Sequence, residues 1–410
     1  MPYIIYGATN STGQSKPLGV GADNDYPKVY TYPYSKPGRE ISKVTLTIID
    51  ISAPNYVSHT RPQIIPPDEI RGWDHYITAP LVWISRSSVA VIWSRRSQNH
   101  TVISVCKEEN NWMCNKLVDE QLSSTSGWLM VNEGPILSDD KKHMFMRLPV
   151  ADGIFGTYDH IAMIYTESGK KYFLTHGQWV VTKLFAYRSD LHTLYFAATV
   201  YNEPGISPNG RYYISECLGP DIPTTYLLTV DDNKFIETLD INEELRKTFA
   251  KTSLPKIKYL TIRSDKGSDI RIELILPQLL IEDEDTKYPA VIELNNRPDV
   301  QSVNYEHRLD WSRYLTSKKD YITIHIDVKG TGYQGNRHMF EVIGELGKEE
   351  VQDLKYAITY LKKSLPYIDK DKIVVWGRDY GGFLTVSLLA TEEIVTCAIA
   401  VTPIANWKNY

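Results

Sequence analysis

The chain has 410 residues, with 45 Lys and Arg against 50 Asp and Glu, a formal net charge of -5, and 11% aromatic residues. That length allows two or more domains with substantial cores. The mildly acidic, mixed charge gives no electrostatic footprint for nucleic acid, and the aromatic content disfavours disorder and favours β structure. There is no run of 18 apolar residues, and the first residues, Met1-Pro2-Tyr3-Ile4-Ile5-Tyr6-Gly7, lack a basic region followed by an apolar stretch. The sequence as written therefore shows neither a membrane span nor a secretion signal.

From Tyr26 to about Val230 the chain is a succession of short strand-like runs, among them Val44–Ile49, Val89–Trp93, Thr101–Val105 and Tyr195–Thr199. Turn signals such as Ser138-Asp139-Asp140-Lys141-Lys142 and Ser207-Pro208-Asn209-Gly210-Arg211 separate them. This pattern predicts a β-propeller portion over residues 1–254. Trp73, Trp83 and Trp93 recur every ten residues and read as core. Asn10-Ser11-Thr12 and Asn99-His100-Thr101 are glycosylation sequons, with Asn10 and Asn99 as acceptors. Cys106 and Cys114 bracket a polar hairpin tip and predict a disulfide, which would stabilise by roughly 2 to 3 kcal/mol and persist only in an oxidising compartment. Cys217 and Cys397 read as unpaired.

Near Pro255 the character changes. Glu243–Phe249 reads as a short connector. Beyond it, strands at Ile270–Leu274, Pro289–Leu294 and Tyr321–Ile326 alternate with helices, including an amphipathic Glu349–Lys363 with Val351, Leu354, Ile358 and Leu361 on one stripe. Residues 255–410 therefore predict a doubly wound, mostly parallel sheet. Gly330-Thr331-Gly332-Tyr333-Gln334-Gly335 satisfies G-x-G-x-x-G, but no helical periodicity starts directly after it and its variable positions are bulky, so it reads as a loop. No cofactor or metal is read from the sequence.

Lys372-Ile373-Val374-Val375-Trp376 followed by Gly377-Arg378-Asp379-Tyr380-Gly381-Gly382 reads as a strand-to-helix nucleophile elbow. Phe383, Val386, Leu388 and Leu389 then begin a helical apolar face. Asp379 stands where a G-x-S-x-G elbow carries serine. An aspartate attacks in some α/β-hydrolases, but against an amide it would form an anhydride. No histidine follows His338 in the sequence as given, so a base after Asp379 is not found in it.

Asp327-Val328-Lys329-Gly330-Thr331-Gly332-Tyr333-Gln334-Gly335 resembles the D-x-R-G-S-G-Y-Q-G segment of the dipeptidyl peptidase IV family of prolyl-oligopeptidase-type serine peptidases. Trp376–Gly382 is similar to its W-G-W-S-Y-G-G elbow. Tyr26-Pro27-Lys28-Val29, Asp74-His75-Tyr76, Trp93–Asn99, Thr125–Trp128 and Cys217-Leu218-Gly219-Pro220 resemble its propeller. The resemblance implies a glycosylated extracellular β-propeller on an N-terminal anchor, an α/β-hydrolase domain, and a homodimer that removes X-Pro or X-Ala dipeptides. By the same resemblance Asp379 holds the nucleophile position and the Tyr380 N–H the oxyanion position. Asn295, within Glu293-Leu294-Asn295-Asn296-Arg297-Pro298, replaces the oxyanion tyrosine of a V-Y-A-G-P segment.

These departures resemble the inactive dipeptidyl-peptidase-like branch, known as auxiliary subunits of potassium channels. The expectation is a catalytically silent member acting through protein contacts at the extracellular face of the plasma membrane. It is expected as a fragment, with an incomplete propeller and a truncated hydrolase domain. By the resemblance, further propeller strands belong between Tyr201 and Ser207, where Cys217 would lose its family partner, and the chain expressed alone is expected to be unstable or to aggregate. Two alternatives are an active serine dipeptidyl peptidase whose sequence is mispredicted here, and an Asp-nucleophile hydrolase that needs a histidine in a fuller sequence.

Overall fold

The structure is a computed structural model. It describes residues 3–10, 18–21, 28–31, 38, 40–51, 62–122, 127–153, 156–198, 205–207, 210–282, 284–391 and 393–407. The Tyr201–Ser207 junction (except 205–207), Ser11-Thr12 of the first sequon, Tyr26-Pro27, Thr125-Ser126 and Asn209 lie outside the described residues.

Up to Asp240 the described strands form six sheets in which every strand pairing is antiparallel. The run Val89–Trp93 lies in strand Ser88–Arg95, paired with His100–Lys107 at the centre of a five-stranded sheet. It is apolar at successive positions because both faces of this sheet are covered. Val89, Val91, Trp93, Val102 and Cys106 enter one core, while Ala90, Ile92 and Ile103 enter another shared with Met144, Leu148 and Ile164. A sheet stacked between neighbours on both sides is what a propeller blade requires, and these sheets form part of a β-propeller.

Only Trp93 of the three evenly spaced tryptophans is fully buried, and its Nε1 donates to Ser104 Oγ at 2.9 Å. Trp83 packs edge-on against Trp112 at 6.1 Å. Trp73 is 57% exposed and stacks beneath the Arg95 guanidinium at 4.2 Å, so the ten-residue spacing does not mark one core stripe. Cys106 and Cys114 face one another in the hairpin and are joined by a disulfide. The tip between them is not wholly polar, because Trp112, held at a φ of 59°, folds back into the core.

The connector is a helix at Glu243–Phe249. After it, six strands form one sheet in the order Lys256–Arg263, Asp269–Leu276, Ile322–Asp327, Tyr288–Leu294, Ile368–Arg378, Cys397–Val401. The first two pairings are antiparallel and the last three parallel. Glu349–Ser364 forms the expected helix and buries Val351, Leu354, Ile358 and Leu361 in the core of this sheet. This is the architecture of an α/β-hydrolase sheet.

A five-residue helix, Asn336–Phe340, follows Gly335 directly, where the sequence showed no helical period because one and a half turns are too short to display one. The apolar face assigned to the elbow helix is also corrected. In Tyr380–Leu389 the buried positions include Leu384 and Leu388, whereas Val386 and Leu389 are exposed. The helix is apolar on all sides, so its sequence carries no moment to orient it. The two parts of the molecule touch through the His307 N–H, which donates to Leu218 O at 2.7 Å, and through Trp128 against Phe340 at 4.7 Å.

Candidate functional site

Parallel pairing gathers the carboxyl ends of three strands, at Leu294, Arg378 and Val401, along one edge of the sheet. The turn from Arg378 into the helix Tyr380–Leu389 is tight. A Cβ on Gly377 would meet Gly381 backbone at 2.4 Å, and one on Gly381 would meet Asn295 O at 2.6 Å. Glycine is needed at both places because the strand, the helix and the Asn295 segment meet there. Asp379 occupies the tip with φ 53° and ψ −110°. A non-glycine residue in such backbone costs on the order of 1 to 3 kcal/mol and persists only where the surroundings enforce it. The strained strand-to-helix turn is thus present, with a carboxylate at its apex.

That carboxylate is held from two sides. Thr402 Oγ1 donates to Asp379 Oδ1 at 2.9 Å, and Arg378 Nε lies 3.5 Å from Oδ2. The Asp379 N–H donates to Val401 O at 3.0 Å, and Asp379 O accepts from Phe383 N at 3.0 Å, which starts the helix. The side chain is 50% exposed and borders an open cleft of about 550 Å³ shared with Asn296, Arg297, Thr402, Ile404 and Asn406.

The two positions expected to stabilise an oxyanion are both committed elsewhere. The Tyr380 N–H donates to Asn296 O at 3.2 Å. Asn295 Nδ2 donates to Val300 O at 3.2 Å, while its Oδ1 accepts from Ser302 Oγ. The Asp327 carboxyl is pushed up to about 6 by burial, against the opposing pull of the Ser302 and Val303 N–H groups and Asn295. Below the elbow, the Tyr380 hydroxyl donates to Glu350, and burial followed by the Glu350 charge pushes that phenol far up. Tyr380 is therefore a structural post whose side chain points away from the cleft.

Elsewhere, Asn99 sits half-buried in the turn between Ser88–Arg95 and His100–Lys107, and its Oδ1 accepts from Ser97 Oγ at 2.5 Å. Its sequon partner Thr101 is fully buried in the strand. Asn10 ends the first strand, opposite Lys43. Cys217 and Cys397 are free and exposed. The disulfide and both sequons lie in the propeller part, away from Asp379 in the chain. Sequence reasoning missed Thr402 and Asn296 as the groups that occupy the elbow. Thr402 becomes a neighbour only through the Arg378–Val401 register. Asn296 offered one signal, its position beside Asn295.

Two family models match the chain: the dipeptidyl peptidase IV N-terminal region over residues 9–205 and the prolyl oligopeptidase family over residues 307–410. The chain is 28% identical to inactive dipeptidyl peptidase 10 of Rattus norvegicus, covering 94% of this chain and 52% of that protein. It is also 28% identical to dipeptidyl peptidase 4 of Sus scrofa, covering 94% and 54%. It thus spans about half the length of the curated relatives it matches, and sequence identity does not separate the inactive relative from the other. The fold superimposes on Porphyromonas gingivalis dipeptidyl peptidase 4 with a TM-score of 0.85 at 20% identity, over all of this chain and 59% of that one. The propeller sheets, the hydrolase sheet with its elbow and the two matched models agree, and the chain belongs to the dipeptidyl peptidase IV family.

Proposed function

We propose that this protein is a catalytically silent member of the family that works through protein contacts. The observation that carries the reading is Asp379 at the apex of the elbow. Serine-type acyl transfer needs a hydroxyl that is deprotonated on attack and free donors for the oxyanion. Here the apex carries a carboxylate already engaged by Thr402 and Arg378, and both donor positions are satisfied within the protein. Attack by a carboxylate on a peptide bond would produce an anhydride, a better acyl donor than the amide it came from. The forward step is therefore uphill before any hydrolysis.

On this reading the protein functions at the extracellular face of the plasma membrane, as a homodimer or beside a membrane-protein partner such as a potassium channel. Among the described residues no helix is long and apolar enough to cross a membrane. The Cys106–Cys114 disulfide supports an oxidising compartment. The test is release of dipeptide from a Gly-Pro chromogenic amide by the purified protein. The expected signal is that of buffer alone. Turnover that a serine-directed phosphonate leaves untouched would overturn the reading in favour of an aspartate nucleophile, and phosphonate-sensitive turnover would overturn it in favour of a serine peptidase.

A further inference from the structure

A cavity of about 890 Å³ lies between the propeller part and the hydrolase sheet, a volume within the range of small-molecule sites. Trp179 forms one wall, and Tyr259, Tyr305 and Tyr333 form others. Among these rings stands Arg271, on the strand Asp269–Leu276. The cavity's two carboxylates are already neutralised: Asp299 by Arg297 at 3.3 Å and Glu306 by Arg308 at 3.3 Å. Asp327 sits across from Arg271 in register, but its oxygens accept from the Ser302 and Val303 N–H groups at 2.9 and 3.1 Å. Among the described residues Arg271 has no hydrogen bond or ion pair. A half-buried guanidinium is therefore left facing an aromatic-walled space with five donors and no protein acceptor assigned to them.

We infer that this cavity binds a small carboxylate with an aromatic or apolar body, its carboxyl group taken by Arg271. The guanidinium presents a planar fork that matches a carboxylate with two parallel hydrogen bonds. The Arg271 charge acts on Asp327 through space without an ion pair, so its fork is left for one carboxylate. A phosphate dianion would call for a second cation, and Arg297 is held by Asp299. The rings supply the surface that an apolar body needs. A free aromatic acid and the C-terminus of a short peptide share this chemistry. The inference does not depend on whether Asp379 is silent, since Arg271 lines a different space from the elbow cleft.

The test is isothermal titration of the purified protein with N-acetyl-Gly-Phe as the free acid, the same peptide as its C-terminal amide, and 3-phenylpropionate. The acid is expected to bind, and the amide to bind at least roughly tenfold more weakly, as loss of a charge-assisted pair implies. Arg271→Gln should lose roughly tenfold or more for the acid and nothing for the amide. Arg271→Lys, which keeps the charge and removes the fork, should fall between. Arg263→Gln, on the neighbouring strand, should match the wild type. Far-UV circular dichroism and the melting temperature verify that each variant folds, and the lysine variant carries the test if the glutamine variant does not. Tight binding of 3-phenylpropionate assigns the site to free acids, and a preference for the peptide assigns it to C-termini. Equal binding of acid and amide, unchanged affinity in Arg271→Gln, or no binding of either acid up to roughly 10 mM overturns the inference.

Discussion

At the scale of a single residue, the elbow separates geometry from chemistry. The backbone at position 379 carries the strain expected of a nucleophile turn, with φ 53° and ψ −110°, while its side chain is a carboxylate. Replacing that side chain alone should therefore not recover a peptidase. In Asp379→Ser the hydroxyl would sit at the apex, but the Tyr380 N–H would still point at Asn296 O and Asn295 would still hold Val300 O and Ser302. Loss of one oxyanion donor costs about a hundred- to a thousandfold in turnover. With both committed, the variant is expected to remain roughly 10⁴-fold or more below an active enzyme, and Gly-Pro amide hydrolysis should stay at background. Stoichiometric labelling of Asp379→Ser by a fluorophosphonate would refute this, since it requires an acidic hydroxyl beside working donors.

Between elements, the register of the sheet builds a charge row. Tyr259, Glu273, His325 and Glu293 are successive cross-strand neighbours on four adjacent strands. His325 Nδ1 lies 2.7 Å from Glu273 Oε2 and Nε2 lies 3.3 Å from Glu293 Oε2, while Ser312 Oγ donates to Glu293 at 2.7 Å. Burial alone would lower the imidazole, but hydrogen bonds to the two glutamates outweigh it and raise His325 from 6.5 to about 9. A group raised on folding stabilises fully below its unfolded value and loses that contribution as pH climbs through the folded one. The protein should thus lose on the order of 2 to 3 kcal/mol between about pH 6.5 and pH 9.5. Urea denaturation of wild type against His325→Gln across that window checks it. The variant is expected to start lower, because Glu273 loses its partner in the core, and to vary less with pH. Parallel curves for the two proteins would remove His325 as the cause.

None of this row was legible in the sequence, where His325 reads only as one residue of an apolar strand. The acids that flank it lie 52 and 32 residues away and meet it only through pairing. What was legible is local: the glycines of the elbow, the stripe of Glu349–Ser364, the hairpin cysteines and the change from strand runs to strand and helix alternation near Pro255. The elbow helix was misjudged for a related reason, because a helix apolar on every side reveals its buried face only by what it packs against.

For the molecule as a whole, the consequential feature is the strand that ends the hydrolase sheet among the described residues. Cys397–Val401 is last in the strand order and, among the described residues, pairs only with Ile368–Arg378. Cys397, Ile399 and Val401 lie on one face of that strand and are all exposed, Ile399 at 53%. Val386 and Leu389 of the elbow helix add exposed apolar surface next in the chain order. An unpaired edge with apolar side chains is a template for pairing with another strand, and proteins ordinarily cover it or place a charge there. This chain, expressed as given, is therefore expected to self-associate through the edge, with a light-scattering mass that rises with concentration through the micromolar range. Ile399→Lys places a charge on the open face without disturbing a core contact, and it should shift the population toward monomer while leaving the melting temperature within a degree or two. A wild-type chain that stays monomeric at every concentration would remove the edge as a liability. An association equally strong in Ile399→Lys would instead locate it elsewhere on the surface.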